Sequence, residues 1–289
     1  MGNPHHHHHH HATADHDGSG MAELLDLDAE VLHAHLAEVT DLIAGLAADS
    51  PPRTILDLGS GTGTGVLTLL ARFGEAEGIA LDQDEHMLRR LTDRARALGL
   101  DRRVRTVQAD LDTAWPSVGA VDLVWASASM HHMADPGRVL ADVHAALRPG
   151  GLLAVLEMDS LPMPRFLPDD QGVGRPGLEA RCHALLAEMR AEHMPLLGSD
   201  WGAPLAEAGF TVETERNFAI DLRPPLPAAT GRYALATLRR VRSGVENLLD
   251  ADDLAALDVL LDGDGPECVL RRTDLTVRTT RTVWLARRP

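Results

Sequence analysis

The sequence predicts an α/β fold, a doubly wound and mostly parallel sheet with helices on both faces. Three observations predict it. Between residues 54 and 158, short apolar runs alternate with segments of helical period at the spacing of βαβ units. The first run, TILDL at 54–58, opens at once into the glycine-rich string GSGTGTG at 59–65 and then into the helical pattern VLTLLARF. Later runs end in or beside polar residues: Asp82, Asp110, Ser127 and Glu157. Sheets of this class bind ligands beyond the carboxyl ends of their strands, at the point where strand order reverses, so residues there are the informative ones.

The composition bounds what such a fold does. The 289 residues, 44% hydrophobic and 24% charged, suffice for one large globular domain. No apolar run approaches the roughly 20 residues that cross a bilayer, so no membrane partner is expected. Cys182 and Cys268 stand far apart without a C-x-x-C spacing, which argues against a disulfide framework or a cysteine zinc site and favours the reducing cytoplasm. Acids outnumber bases 43 to 27 for a net charge of −16, a balance unsuited to nucleic acid. Every base is arginine, so no lysine Schiff base can form. Residues 1–20 hold seven consecutive histidines and no apolar core of a secretion signal; they read as a disordered tail, either an affinity tag or a native metal-sequestering segment.

Taken in order, residues 23–48 carry helical apolar spacing that ends at Ser50-Pro51-Pro52. Strands follow at 54–58, 78–82, 103–110, 121–127 and 152–158, with helices at 86–98 and after Asp135. Residues 160–177 are dense in Pro and Gly and read as a long functional loop. Helices at 178–194 and 201–208, a strand at 210–222, two helices within 231–262 and a strand at 282–288 complete the chain. The whole of 21–289 reads as one domain with an insert or lid at about 160–280.

Glycines after a strand let the chain turn tightly, and the following helix offers amide donors. Dinucleotides and S-adenosylmethionine (SAM) both use such a turn. The dinucleotide pattern G-x-G-x-x-G/A fails in both registers, since its third position falls on Thr64 or Val66. Asp57 would repel a pyrophosphate but suits the cationic amino group of a methionine moiety.

DLGSGTG at 57–63, the acid closing the second strand, the Asp after the third and LRPGG before the fifth together resemble the class I SAM-dependent methyltransferases, nearest to the small-molecule, quinone C-methyltransferase-like group. The resemblance covers residues 54–158 and implies a Rossmann-like sheet whose last strand is antiparallel. It implies that Asp57, Gly59, Ser60, Gly61 and Gly63 cradle the methionine half of SAM. Asp82 would accept both ribose hydroxyls, with Gln83 beside it and Met87 against adenine; Asp110 and Leu111 would meet the adenine edge, and Ala126 and Ser127 would lie under the sulfonium. The product would be S-adenosylhomocysteine (SAH).

Methyl transfer needs an oriented nucleophile and, for many acceptors, a base. His131 and His132 follow the fourth strand, and Glu157 and Asp159 close the fifth; these are the catalytic candidates, ahead of Asp169, Asp170 and His193 near the lid. Trp115, Trp201, Phe166 and Phe210 could wall an acceptor pocket. No Asn/Asp-Pro-Pro-aromatic motif follows the fourth strand, unlike nucleic-acid amino methyltransferases, and Ala126 stands where catechol-type enzymes carry an acid, so no metal is expected. The acid-rich 250–265 stretch fails the calcium-loop pattern and reads as a helix cap and turn. The expected activity is methyl transfer to a small molecule through O, N or C. Two alternatives stand beside it, a non-catalytic SAM-binding protein and a nicotinamide-dependent oxidoreductase.

Overall fold

A computed structural model gives the fold and describes residues 12–158 and 163–289. Seven strands form one sheet in the order β3-β2-β1-β4-β5-β7-β6. They span Thr54–Leu58 (β1), Glu77–Asp82 (β2), Val104–Gln108 (β3), Val121–Ser127 (β4), Leu147–Met158 (β5), Thr211–Leu222 (β6) and Val277–Arg287 (β7). The pairs β1–β2, β2–β3, β1–β4 and β4–β5 are parallel, and β7 runs antiparallel to both neighbours. The chain winds outward through β2 and β3, returns, and winds the other way through β4 and β5. A crevice therefore opens where the carboxyl ends of β1 and β4 lie side by side.

Helices cover both faces. Helices α2 (His33–Leu46), α3 (Thr64–Arg72) and α4 (Glu85–Ala97) bury Val39, Ile43, Val66, Leu70, Leu91 and Ala95 against Ile55, Ala80, Trp125 and Leu285. On the other face α5 (Pro136–Ala146) packs Val139, Leu140 and Val143 onto Leu56, Val124, Val155 and Trp284. The central strands are apolar on both sides because both are covered, so they read as continuous runs and not as alternation.

The single helix expected at 23–48 is two. Helix α1 spans Ala12–Val31 and the chain leaves helical geometry at Leu32, where φ is −97° and ψ is 20°, before α2 begins. The His33 ring takes up the Glu30 carbonyl at 3.0 Å, which serves one of the acceptors left open at the end of α1. Helix α1 also starts within the segment read as a disordered tail: the alanines at 12 and 14 and the acids at 15 and 17 suit a helix start. The histidine run lies outside the described residues, as does Asp159.

The stretch expected as one insert divides. Helix α7 (Gly202–Glu207) and β6 belong to the main sheet, while α6 (Leu178–His193), α8 (Thr230–Val245) and α9 (Ala251–Leu261) build a separate core with α1. Asp250 caps α9 by accepting from the Asp253 amide at 2.9 Å, the cap read from the sequence. Asp253 is held by Arg175 and Arg181, both at 2.7 Å, and these bonds keep its carboxyl low, at about 2. Trp201, Phe166 and Phe210, expected as pocket walls, are core residues, 1%, 0% and 5% exposed. Their size fills the two cores; Trp115 alone of the four is partly accessible. Among the described residues no helix is long and apolar enough to cross a membrane.

Candidate active site

The sheet brings the expected cofactor residues to one edge. Asp57 is buried in β1, and its Oδ2 accepts the Val66 amide at 2.8 Å, joining the strand to the first turn of α3. Burial pushes its carboxyl up to about 7; the Val66 amide opposes that rise and the nearby Asp82 adds to it. Between them the turn runs through three left-handed glycines, Gly59 (φ +62°), Gly61 (φ +50°) and Gly63 (φ +86°). A Cβ on Gly59 would come within 2.7 Å of Ser129 Cβ, so the turn after β1 sits directly on the turn after β4.

Gly65 is held more tightly still. A Cβ there would meet Trp125 Nε1 at 2.3 Å and Asp57 Oδ2 at 2.8 Å. Gly65→Ala is expected to destabilise the fold by about 1–3 kcal/mol through overpacking. A thermal melt reads this as a lowered Tm; an unchanged Tm would contradict the packing described.

Asp82 closes β2 and binds the turn to it. Its Oδ2 accepts the Gly61 amide and its Oδ1 the Asp84 amide, at 2.8 and 2.9 Å. Burial raises its carboxyl pKa and those amides hold the rise in check. Gln83 is exposed beside it, and Met87 is buried on the inner face of α4. Asp110 is exposed after β3, with its oxygens on the Asp112 amide and the Thr113 hydroxyl at 3.0 and 2.8 Å, so part of its accepting capacity closes its own turn. Leu111 is buried next to it. Ala126 is buried at the end of β4 and Ser127 is half-buried.

The catalytic candidates also meet. His131 lies in a short 3-10 turn, Met130–His132, just after β4, and Glu157 lies near the end of β5. His131 Nδ1 is 2.6 Å from Glu157 Oε2, with both residues buried. Oε1 of the same carboxylate accepts the Met130 amide at 2.9 Å, which fixes the turn as well as the ring. With Nδ1–H donated to Glu157, Nε2 keeps its lone pair and can accept a proton. His132 stacks at 4.1 Å from His131; burial lowers its pKa, and the His131 charge lowers it further. Asp169, Asp170 and His193 are exposed, and His193 bonds the Met189 carbonyl.

Ser129, Arg94 and Leu25 escaped sequence reasoning. Ser60 and Ser129 are buried with hydroxyls that lack a partner, one in each of the two touching turns. Buried hydroxyls in native proteins are nearly always satisfied, so the pair marks a place for a polar ligand. Arg94 of α4 reaches the Thr62 carbonyl, the Thr62 and Thr64 hydroxyls and Asp26. From α1, Leu25 stands 3.1 Å from where a Gly61 Cβ would lie, so that helix roofs the turn. Only Ser60 carried any local signal; Arg94 and Leu25 act across more than 30 residues of sequence.

Residues 55–151 match a sequence family described as a methyltransferase domain. The match covers about a third of the chain, from β1 to the start of β5. A malonyl-[acyl-carrier protein] O-methyltransferase from Laribacter hongkongensis is 39% identical over 117 residues, 38% of this chain and 39% of its own length. A 27-O-demethylrifamycin SV methyltransferase from Amycolatopsis mediterranei is 27% identical over 209 residues, 72% of each chain. A geranyl diphosphate methyltransferase solved with SAM shares the fold at a TM-score of 0.51 and 16% identity, covering 92% of this chain and 90% of that one. The chain thus spans about two fifths of the length of the first of these relatives, and the family match ends before the helices of the second core. The matched stretch contains every residue read from the sequence as binding SAM.

The residues present fit SAM. Left-handed glycines open the approach to the backbone, two buried hydroxyls await partners, and one carboxylate stands at the end of β2 where a diol can be bound in two hydrogen bonds.

Proposed function

We propose that the protein transfers the methyl group of SAM to a small organic acceptor and yields SAH. The observation that carries the reading is the convergence at one sheet edge of the glycine cradle, Asp82 and the buried His131–Glu157 pair. SAM, when bound, supplies a methyl group already activated on a sulfonium. The protein's own work is then positioning and proton removal. Asp57, Gly59, Ser60, Gly61 and Gly63, with Ser129, hold the methionine half. Asp82 takes the ribose hydroxyls, and Gln83, Met87, Asp110 and Leu111 frame the adenine. Ala126 and Ser127 line the floor below the reacting centre.

His131 is the base. Glu157 holds the imidazole in the tautomer whose Nε2 accepts, and it stabilises the imidazolium formed when the acceptor's proton arrives there. His132 packs on this ring and shapes the mouth. The acceptor is a small molecule: a net charge of −16 gives no broad basic footprint for nucleic acid. Two buried free thiols, Cys182 and Cys268, suit the cytoplasm.

Asp57 provides the test. With its carboxyl at about 7, roughly half the ligand-free molecules carry a proton there at pH 7. The cationic amino group of bound SAH favours the carboxylate and drives that proton off. Calorimetric titration of SAH at pH 7, in two buffers of different ionisation enthalpy, is expected to show release of roughly half a proton per site. Binding with no proton released removes Asp57 from the amino-group site, and no binding removes the proposed activity.

A further inference from the structure

Two half-buried arginines and a buried histidine border the second core, and the cofactor site leaves them unused. Arg165 forms an isolated antiparallel bridge with Arg278, their amides and carbonyls exchanging bonds of 2.9 Å. Directly opposed residues on antiparallel strands share a face. Along β7 that face also carries Thr280 and Thr282, and Thr282 pairs with Glu157. A polar track therefore runs on one side of the sheet from Glu157 past Thr282 and Thr280 to the two arginines.

The donors at its far end lack acceptors. Arg165 Nε, Arg278 Nε and His183 Nε2 are buried without a hydrogen-bond partner. His183, on α6, is 3% exposed, and its pKa falls to about 4 through burial and then the charges of Arg165, Arg190 and Arg278. Arg190 NH1 is likewise buried and unpartnered. The local carboxylate is Glu179, 3.9 Å from Arg278, and its oxygens already accept the Phe166 and Leu167 amides. Arg278 also donates to the Leu167 carbonyl, whereas Arg165 Nε has no hydrogen-bond partner and the Arg165 charge acts on Glu179 only through space. Other arginines have acceptors, acids for Arg175 and Arg181 on Asp253 and for Arg90 and Arg94 on Asp26, and backbone carbonyls for Arg103 and Arg271. In a chain so rich in acids, buried arginine nitrogens without an acceptor are expensive unless a ligand supplies one.

We propose that Arg165, Arg278 and His183 seat an oxyanion group of the methyl acceptor, a carboxylate or a phosphate, about 13 Å along β7 from the position of Glu157. The spacing comes from the four residues separating Thr282 from Arg278 on an extended strand. An acceptor of that length has its anionic end on the arginines and its nucleophilic atom at His131. This assignment rests on the methyltransferase reading, and it narrows the acceptor to small organic anions.

The test uses the full chain with saturating SAH, and succinate, inorganic phosphate and neutral succinamide as probes, each titrated by calorimetry. At least one anion is expected to bind about tenfold or more tightly than succinamide. Arg165→Gln and Arg278→Gln are each expected to weaken that anion by about tenfold while SAH affinity is unchanged. Arg165→Gln breaks no described side-chain bond, so its fold is secure where that of Arg278→Gln needs a thermal melt. The stronger of succinate and phosphate identifies the group. Anions binding no better than succinamide, or a preference that survives both substitutions, would overturn the proposal. Loss of SAH binding in the wild type would instead strike the methyltransferase reading, and the same anion titrations without SAH would still decide the arginine site.

Discussion

Replacing His131 by alanine is expected to lower kcat by about 10²- to 10⁴-fold, the usual contribution of a positioned base, with SAH affinity unchanged. The imidazole is buried and held at Nδ1 by Glu157 at 2.6 Å, an arrangement that leaves the Nε2 lone pair to accept. Glu157→Gln tests the arrangement from the other side. The amide keeps the volume but presents one oxygen to two donors, the Met130 amide and the His131 ring, and its own NH₂ then faces one of them. The ring loses its fixed tautomer and turnover falls, by less than in the alanine variant. His132→Ala is expected to leave most of kcat in place, because that ring meets the other only in a tilted contact, with centroids 4.1 Å apart. A large loss in His132→Ala with none in His131→Ala would reverse the assignment.

The second large effect belongs to Asp82. Its carboxylate holds the Gly61 and Asp84 amides, and on the proposed reading it also takes both ribose hydroxyls. Hydrogen bonds to a charged group contribute about 1.5–3 kcal/mol each, so two lost to alanine predict SAH binding weaker by roughly 10²- to 10⁴-fold. The substitution also frees the Gly61 amide and loosens the cradle, which acts in the same direction. Asp82→Asn keeps an acceptor for one amide and is expected to fall between wild type and alanine.

The cofactor half was legible because its signals are local. A glycine string between an apolar run and a helical pattern can satisfy its left-handed backbone in few ways, and the structure puts Gly59, Gly61 and Gly63 at positive φ. The strands at 54–58 and 121–127 fall where the sequence puts them, since buried parallel strands read as continuous apolar runs. The acceptor half was less legible. Strand β7 begins at Val277 and not near residue 282, because its first residues, VRTTRT, hold a single apolar residue and lack apolar alternation. The same run carries Arg278, so the polar track was hidden by the feature that makes it functional. The role of α1 was out of reach for a different reason. Leu25 over Gly61, Asp26 on Arg90 and Arg94, and Asp28 on Arg281 are long-range contacts with no spacing that announces them. The His131–Glu157 pair lay between these cases: both residues stood out at strand ends, and only the parallel pairing of β4 with β5 joins them.

On the proposed reading the glycine turn and Asp82 hold S-adenosyl ligands and not dinucleotides. Calorimetric titration of SAH, with NAD in parallel, on wild type and Asp82→Ala decides between the two ligand classes. Saturable SAH binding to the wild type, its loss or severe weakening in Asp82→Ala, and no heat from NAD are expected. NAD binding in place of SAH, or SAH affinity indifferent to Asp82, would overturn the reading.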